Sequence, residues 1–168
     1  MLKETVIKEM INVFHDVPYG VDHTLKVLQL AEDIMTGESI DSEKRELITI
    51  TAILHDIGAL EAQRKYGSME AKYQEKEGAI IARQILEKVG YEPGKIDRVC
   101  YIVGNHHTPE KIDGIDFQVL WEADLIANME AMDIKNDIEK LPGYIEENFK
   151  TTAGKVLAKE YFLNTGGI

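Results

Sequence analysis

The chain has 168 residues, 44% of them apolar and 29% charged, which suffices for one domain with its own hydrophobic core and excludes a disordered or fibrous chain. Nineteen Lys and Arg stand against 30 Asp and Glu, a net charge of −11, so the field repels polyanions and duplex nucleic acid is excluded as a partner, while a small anion held through a metal is not. The single cysteine, Cys100, excludes an internal disulfide and a Cys-rich zinc site, and its apolar neighbours Val99 and Ile102 make it a small buried hydrophobe.

Residues 2–15 mix Lys3, Glu4, Lys8 and Glu9 among apolar positions, which suits a surface helix and lacks the apolar core of a signal peptide. No run reaches membrane-spanning length, so no membrane partner and a cytoplasmic location are expected. A second helix is expected over 21–35, after Pro18-Tyr19-Gly20 and before Gly37. A third begins near Asp41 or Ser42, whose side chains can cap it, carries Leu47, Ile48, Ala52 and Leu54, and ends at Gly58. Residues 61–73 are polar and read as a loop or short helix, followed by helices over 75–89 and 95–106. The latter must end near His107, because Thr108 precedes Pro109 and the position before proline disfavours the helical region. A further helix runs from Asp116, a plausible cap, to about Met132, and the tail reads as packing helices over 136–149 and 155–163. With no alternating strand pattern, the expectation is an all-α, compact helical bundle: one domain over 1–168, with a motif-bearing core at 21–132 and C-terminal helices at 133–168.

Within this scaffold a few polar residues point the wrong way for a solvated surface. His23 shares a helical face with Val27, Leu30 and Ile34; His55 follows Ile48 and Ala52 on one stripe; Asp56 leaves the same helix end; and Asp124 shares its face with Leu120, Ala123 and Ala127. A lone histidine on such a stripe is more often hydrogen-bonded core, and a lone aspartate a cap. Together, however, three helices direct two His and two Asp inward without an evident Lys or Arg to pair them, and buried unpaired carboxylates are costly. A bound divalent cation is the simpler partner, because two carboxylates and two neutral imidazoles make an N2O2 set that leaves coordination positions open.

The ordered set His23, His55-Asp56 and Asp124, with H-T-L-K-V at 23–27, A-I-L-H-D-I-G at 52–58, E-G-A at 77–79 and N-H-H at 105–107, resembles the HD-domain superfamily of metal-dependent phosphohydrolases. The resemblance spans about residues 21–132 and implies a helical bundle that binds a metal and hydrolyses a phosphate ester of a small phosphorylated metabolite or nucleotide. It makes His23, His55, Asp56 and Asp124 the ligands of one divalent ion, from among Mn, Fe, Co, Ni, Zn and Mg. In relatives with two metals, a histidine near the start of the following helix and a His-His pair help hold the second ion, with the dyad Asp bridging. Here Gln74 stands near the first of those places, and Gln is a poor ligand beside imidazole, so a single ion is favoured and His106 and His107 are left to hold phosphate or a proton. In the implied reaction a water activated on the ion attacks phosphorus, Asp56 orients that water, and His106 protonates the leaving oxygen. Glu77 is a second candidate for proton transfer, set against its reading as part of a solvated helix face. Ala59 stands where many relatives carry Lys after H-D-I-G, so Arg64, Lys65, Lys72 or Arg83 must meet any phosphate.

Three other readings compete. Ala59 and Gln74 also suit a metal-dependent nucleotide sensor or binding protein with reduced turnover; a two-iron redox enzyme would need a complete second ligand set; and a metal-free helical protein would satisfy its histidines in the core.

Overall fold

The computed structural model describes residues 1–163, and among them are nine α-helices, two short 3-10 turns and no strand, as the sequence pattern predicts. The helices are α1 (Leu2–Phe14), α2 (Pro18–Gly37), α3 (Ser42–Leu54), α4 (Ala59–Tyr66), α5 (Ala71–Lys88), α6 (Pro93–Val103), α7 (Ile115–Met129), α8 (Leu141–Asn148) and α9 (Thr152–Phe162). No helix among the described residues is long and apolar enough to cross a membrane.

Local chemistry sets most boundaries. The α2 helix starts at Pro18, earlier than the apolar spacing indicates, because proline's fixed φ suits a first helical turn where its missing N–H would be unpaired anyway. The Asp41 side chain caps α3 by accepting from the Lys44 backbone N–H at 2.9 Å. Much of the stretch expected as a loop or short helix is α4, closed by Gly67 in the left-handed region at φ +64°. Asp116 is not the cap of α7. Gly114 holds that position, and Asp116 lies in the first turn, where Arg98 grips it through Nε at 2.8 Å and Nη2 at 2.6 Å. The helix expected over 136–149 is shorter because Pro142 confines it to the start of α8, and Asp133–Asn136 forms a 3-10 turn instead.

The core is a three-helix contact: α2 packs on α3 and α7, and α3 packs on α7. Leu30 and Ile34 of α2, Ile48 and Ile53 of α3, and Phe117 and Ile126 of α7 are fully buried there. Each such side chain contributes roughly 1.5–3 kcal/mol relative to exposure. The α6 helix covers another side of α3, α5 lies between α4 and α6, and α9 seals α2 and α7. Cys100 is buried, as expected, and burial pushes its thiol up.

The α7–α9 contact depends on a carboxylate. Fully buried Glu122 accepts from Thr151 Oγ1 at 2.7 Å, from the Lys150 and Thr151 backbone N–H groups at 3.2 Å, and from Gln118 Nε2 at 2.6 Å. Burial raises its pKa, and the donors around it offset part of that cost. Replacing Glu122 with Ala strands those donors, and unfolding in urea should show a loss of about 2–4 kcal/mol. A loss under about 0.5 kcal/mol would mean that water replaces the carboxylate at no cost.

Candidate metal centre

The centre lies where the three core helices meet. His23 projects from the second turn of α2, Asp124 from the middle of α7, and His55 and Asp56 occupy the turn that follows α3. The sequence-predicted set comes together in space. His23 Nε2 is 3.2 Å from Asp124 Oδ1 and 3.3 Å from Asp56 Oδ2, and His55 Nε2 is 3.3 Å from Asp56 Oδ2 and 3.4 Å from Asp124 Oδ1. His55 is fully buried and His23 only slightly exposed.

Both histidines that follow helix ends are oriented by the same local device. The last carbonyls of an α-helix lack intrahelical partners. His55 Nδ1 meets the Ala52 carbonyl at 2.7 Å, and His106 Nδ1 meets the Val103 carbonyl at 2.7 Å, each three residues back. With Nδ1–H donating outward, each ring aims Nε2 inward, which is the tautomer a metal ligand needs. The fit to a cation is decided by His55: although two carboxylate oxygens lie close by, its buried Nε2 makes no hydrogen bond at all. An imidazole nitrogen and carboxylate oxygens converging on one point without bonding one another form a donor set suited to a divalent ion.

A second group shares Asp56. Its Oδ1 lies 3.1 Å from His106 Nε2, and the His106 and His107 rings lie with centroids 3.9 Å apart and planes tilted at 43°. Asp56, His106 and His107 each offer a ligand atom, all within 4.8 Å of one another, and the same holds for His23, His55 and Asp56. The two oxygens of Asp56 thus face two different histidine groups. Burial, with neighbouring His106, pushes the His107 ring down and keeps it neutral at pH 7.

Other candidates fall elsewhere. Glu77 is buried, not part of a solvated face, and its carboxylate is taken by Tyr66 Oη at 2.8 Å and Lys65 Nζ at 3.2 Å instead of the histidines. Glu77 thus stands apart from the histidine groups. Gln74 joins neither group: its side-chain amide donates to the Met69 carbonyl at 2.5 Å. The basic residues considered for phosphate are already paired, Arg64 with Glu61, Lys65 with Glu77, Lys72 with Glu70 and Arg83 with Asp97.

Three residues at the centre escape sequence reasoning. Asn128 Nδ2 donates to Asp124 Oδ1 at 3.1 Å, and its spacing one turn after Asp124 was the available signal. Glu75 Oε1 accepts from the His107 backbone N–H at 2.9 Å and from Thr108 Oγ1 at 3.0 Å, fixing the turn that carries His106 and His107; nothing in the sequence links it to them. Tyr19, one turn before His23, lays its ring nearly parallel to the imidazole.

A family model for the HD domain matches residues 20–142, a span that contains every residue of both groups. The chain belongs to the HD domain family. The described helices of this HD domain superpose on a protein described as a predicted HD superfamily hydrolase from an uncultured Thermotogales bacterium. The TM-score is 0.63 at 23% identity, over 94% of this chain and 82% of that one, which is a likeness of fold. Among curated proteins, the bifunctional uridylyltransferase/uridylyl-removing enzyme of Caulobacter vibrioides is 32% identical over 113 residues, covering 60% of this chain and 11% of that enzyme. The enzyme of the same name from Phenylobacterium zucineum is likewise 32% identical over 113 residues. The chain therefore spans about a tenth of the length of these relatives.

The electrostatics predict a pH signature. Burial alone would push His23 down, but its hydrogen bonds to Asp124 and then Asp56 raise it to about 9. His55 is likewise raised well above its usual value: burial opposes, and the charges of the Asp56 and Asp124 carboxylates prevail. Without a cation, His23 is therefore protonated at pH 7, and a metal must displace that proton. The sign follows: affinity should climb about tenfold per pH unit per displaced proton as pH rises from 6 and level off above about 9. In metal-free protein the raised pKa stabilises the fold fully below the unfolded value near 6.5, and this stabilisation is lost as pH rises through about 9. Calorimetric titrations with Mn in two buffers of different ionisation enthalpy would count the protons released, and a count of zero at pH 7 would contradict the site.

Proposed function

We propose that this HD domain is a metal-dependent phosphohydrolase acting on a small phosphate ester, with His23, His55, Asp56 and Asp124 as the ligands of one divalent ion. The observation that carries the reading is the unbonded, fully buried Nε2 of His55 beside two carboxylate oxygens. A divalent cation held there supplies Lewis acidity and an activated water. The protein's own part is to fix the donors: Ala52 and Val103 orient two rings, Asn128 steadies Asp124, and Glu75 holds the turn of His106 and His107. Asp56 would orient the attacking water, and His106, with Nδ1–H on the Val103 carbonyl and a second proton on the Nε2 that faces Asp56, would give that Nε2 proton to the leaving oxygen. The group of Asp56, His106 and His107 offers only three ligands, with Gln74 turned away, so it would hold a second ion more weakly than the first.

The name of the curated relatives supports a nucleotide-bearing ester as the substrate. Contacts of α9 with α2 and α7 beyond the matched span support reading 1–168 as one domain, and a cytoplasmic setting suits the single buried thiol. The test is to purify the protein without added metal, quantify bound transition metals, and screen Mn, Co, Ni, Mg, Zn and Fe against phosphomonoesters, nucleotides and phosphodiesters. Metal-dependent phosphate or nucleotide release that a chelator abolishes is expected. Bound metal with ligand-induced stabilisation but no product would favour the sensor, and two irons per chain the redox enzyme. No enriched metal would overturn the centre.

A further inference from the structure

Among the described residues two aromatic side chains are exposed, Tyr19 at 77% and Tyr66 at 36%. Tyr66 already stacks on Tyr73, with centroids 4.3 Å apart and planes at 13°. Tyr19 has one face towards His23, with centroids 6.3 Å apart and planes at 16°, and its other face to solvent. It lies in the first turn of α2, one turn before His23, so the periodicity of the helix places both on the face that runs into the centre. On its far side His23 meets polar groups: Asp56 and Asp124, the latter bonded in turn by Asn128. An open aromatic face beside a polar, cation-suited cluster adds nothing to the core, but it provides what a ligand with a charged end and a planar end would use.

We propose that Tyr19 is a stacking platform that selects esters whose organic part is a planar heteroaromatic ring, the nucleoside monophosphate class, with the phosphate directed to the centre. This rests on the hydrolase reading for turnover, whereas binding can be read without it. The phenolic hydroxyl is not required for stacking, so Phe should substitute for Tyr19 and Ala should not.

The experiment uses the full chain loaded with Mn and compares adenosine 5′-monophosphate with ribose 5-phosphate, which keeps the ester and loses the ring. In the wild type, kcat/KM should favour the ring-bearing ester. Tyr19→Ala should cut that preference about tenfold, mainly through KM, and Tyr19→Phe should retain it. If neither ester is turned over, the hydrolase reading fails for this class, and calorimetric binding of the same two compounds decides the platform: tighter adenosine 5′-monophosphate binding that Tyr19→Ala abolishes supports it. Equal preference in wild type and Tyr19→Ala, by turnover or by binding, overturns it. So does a changed visible absorption of the Co-loaded Tyr19→Ala protein, which would show that the ring acts on His23 and not on the ligand.

Discussion

Replacing Asp56 with Ala is expected to lower divalent-metal affinity at least about a hundredfold and to reduce any metal-dependent phosphate release to background, with the helical content unchanged. The size follows from its position between two histidine groups, Oδ2 with His23 and His55 and Oδ1 with His106. Burial by itself would raise its pKa, but the His55 charge and the bonds from His106 and His23 hold it well below the usual carboxylate range. It is therefore ionised at every working pH and available as a ligand. Loss of a supporting residue outside the ligand set typically costs 10–100-fold in affinity, so loss of a carboxylate that faces both groups should exceed the upper end of that range. Equilibrium dialysis with elemental analysis, beside circular dichroism, separates loss of metal from loss of fold. Wild-type metal content in Asp56→Ala would remove Asp56 from the centre and with it the proposed mechanism.

The second large effect is on stability. Gly58 ends the H-D-I-G segment, and a Cβ there would lie 2.3 Å from the Gly78 backbone N, 2.4 Å from the Gln74 carbonyl oxygen and 2.7 Å from the Gly78 Cα. The backbone between α3 and α4 touches the backbone of α5, and a methyl group cannot be accommodated by a side-chain rotation because the obstructing atoms are main chain. Gly58→Ala should cost about 3 kcal/mol, at the upper end for overpacking, and lower Tm by roughly 6–12 °C. Because the displaced segment also carries His55 and Asp56, metal affinity should fall with it. Differential scanning calorimetry of the metal-free protein gives the direct reading. A Tm within about 2 °C of wild type would mean that α5 moves aside freely and that this glycine serves some other need.

The centre was legible in the sequence where its residues obey the period of a single helix. His23 and Asp124 sit on apolar stripes of α2 and α7, and His55 and Asp56 end the stripe of α3, so their inward direction could be read from the spacing of Val, Leu and Ile around them. Where partners come from elsewhere in the chain, the same reasoning failed. Glu77 looked like part of a solvated face in a run of charges, yet Lys65 and Tyr66 cover it; Glu75 in the same run holds the turn of His107. Asp116 looked like a cap because acidic residues favour helix starts, but Arg98 of α6 claims its side chain and Gly114 caps α7. Gln74 stands where a second-metal ligand is expected, but its amide turns to Met69.

By itself the sequence determined the all-helical class, the inward face of each motif-bearing helix and the four side chains that meet, because these depend on periodicity and residue chemistry within one element. Which oxygen of Asp56 faces which histidine, and that His106 comes within 3.1 Å of it across 50 residues of chain, were decided only by the tertiary structure. These follow from the register in which α2, α3, α6 and α7 pack and from the backbone contact of Gly58 with Gly78. Such a register is set by side-chain volumes contributed from distant segments, and a pattern read along one helix carries no information about it.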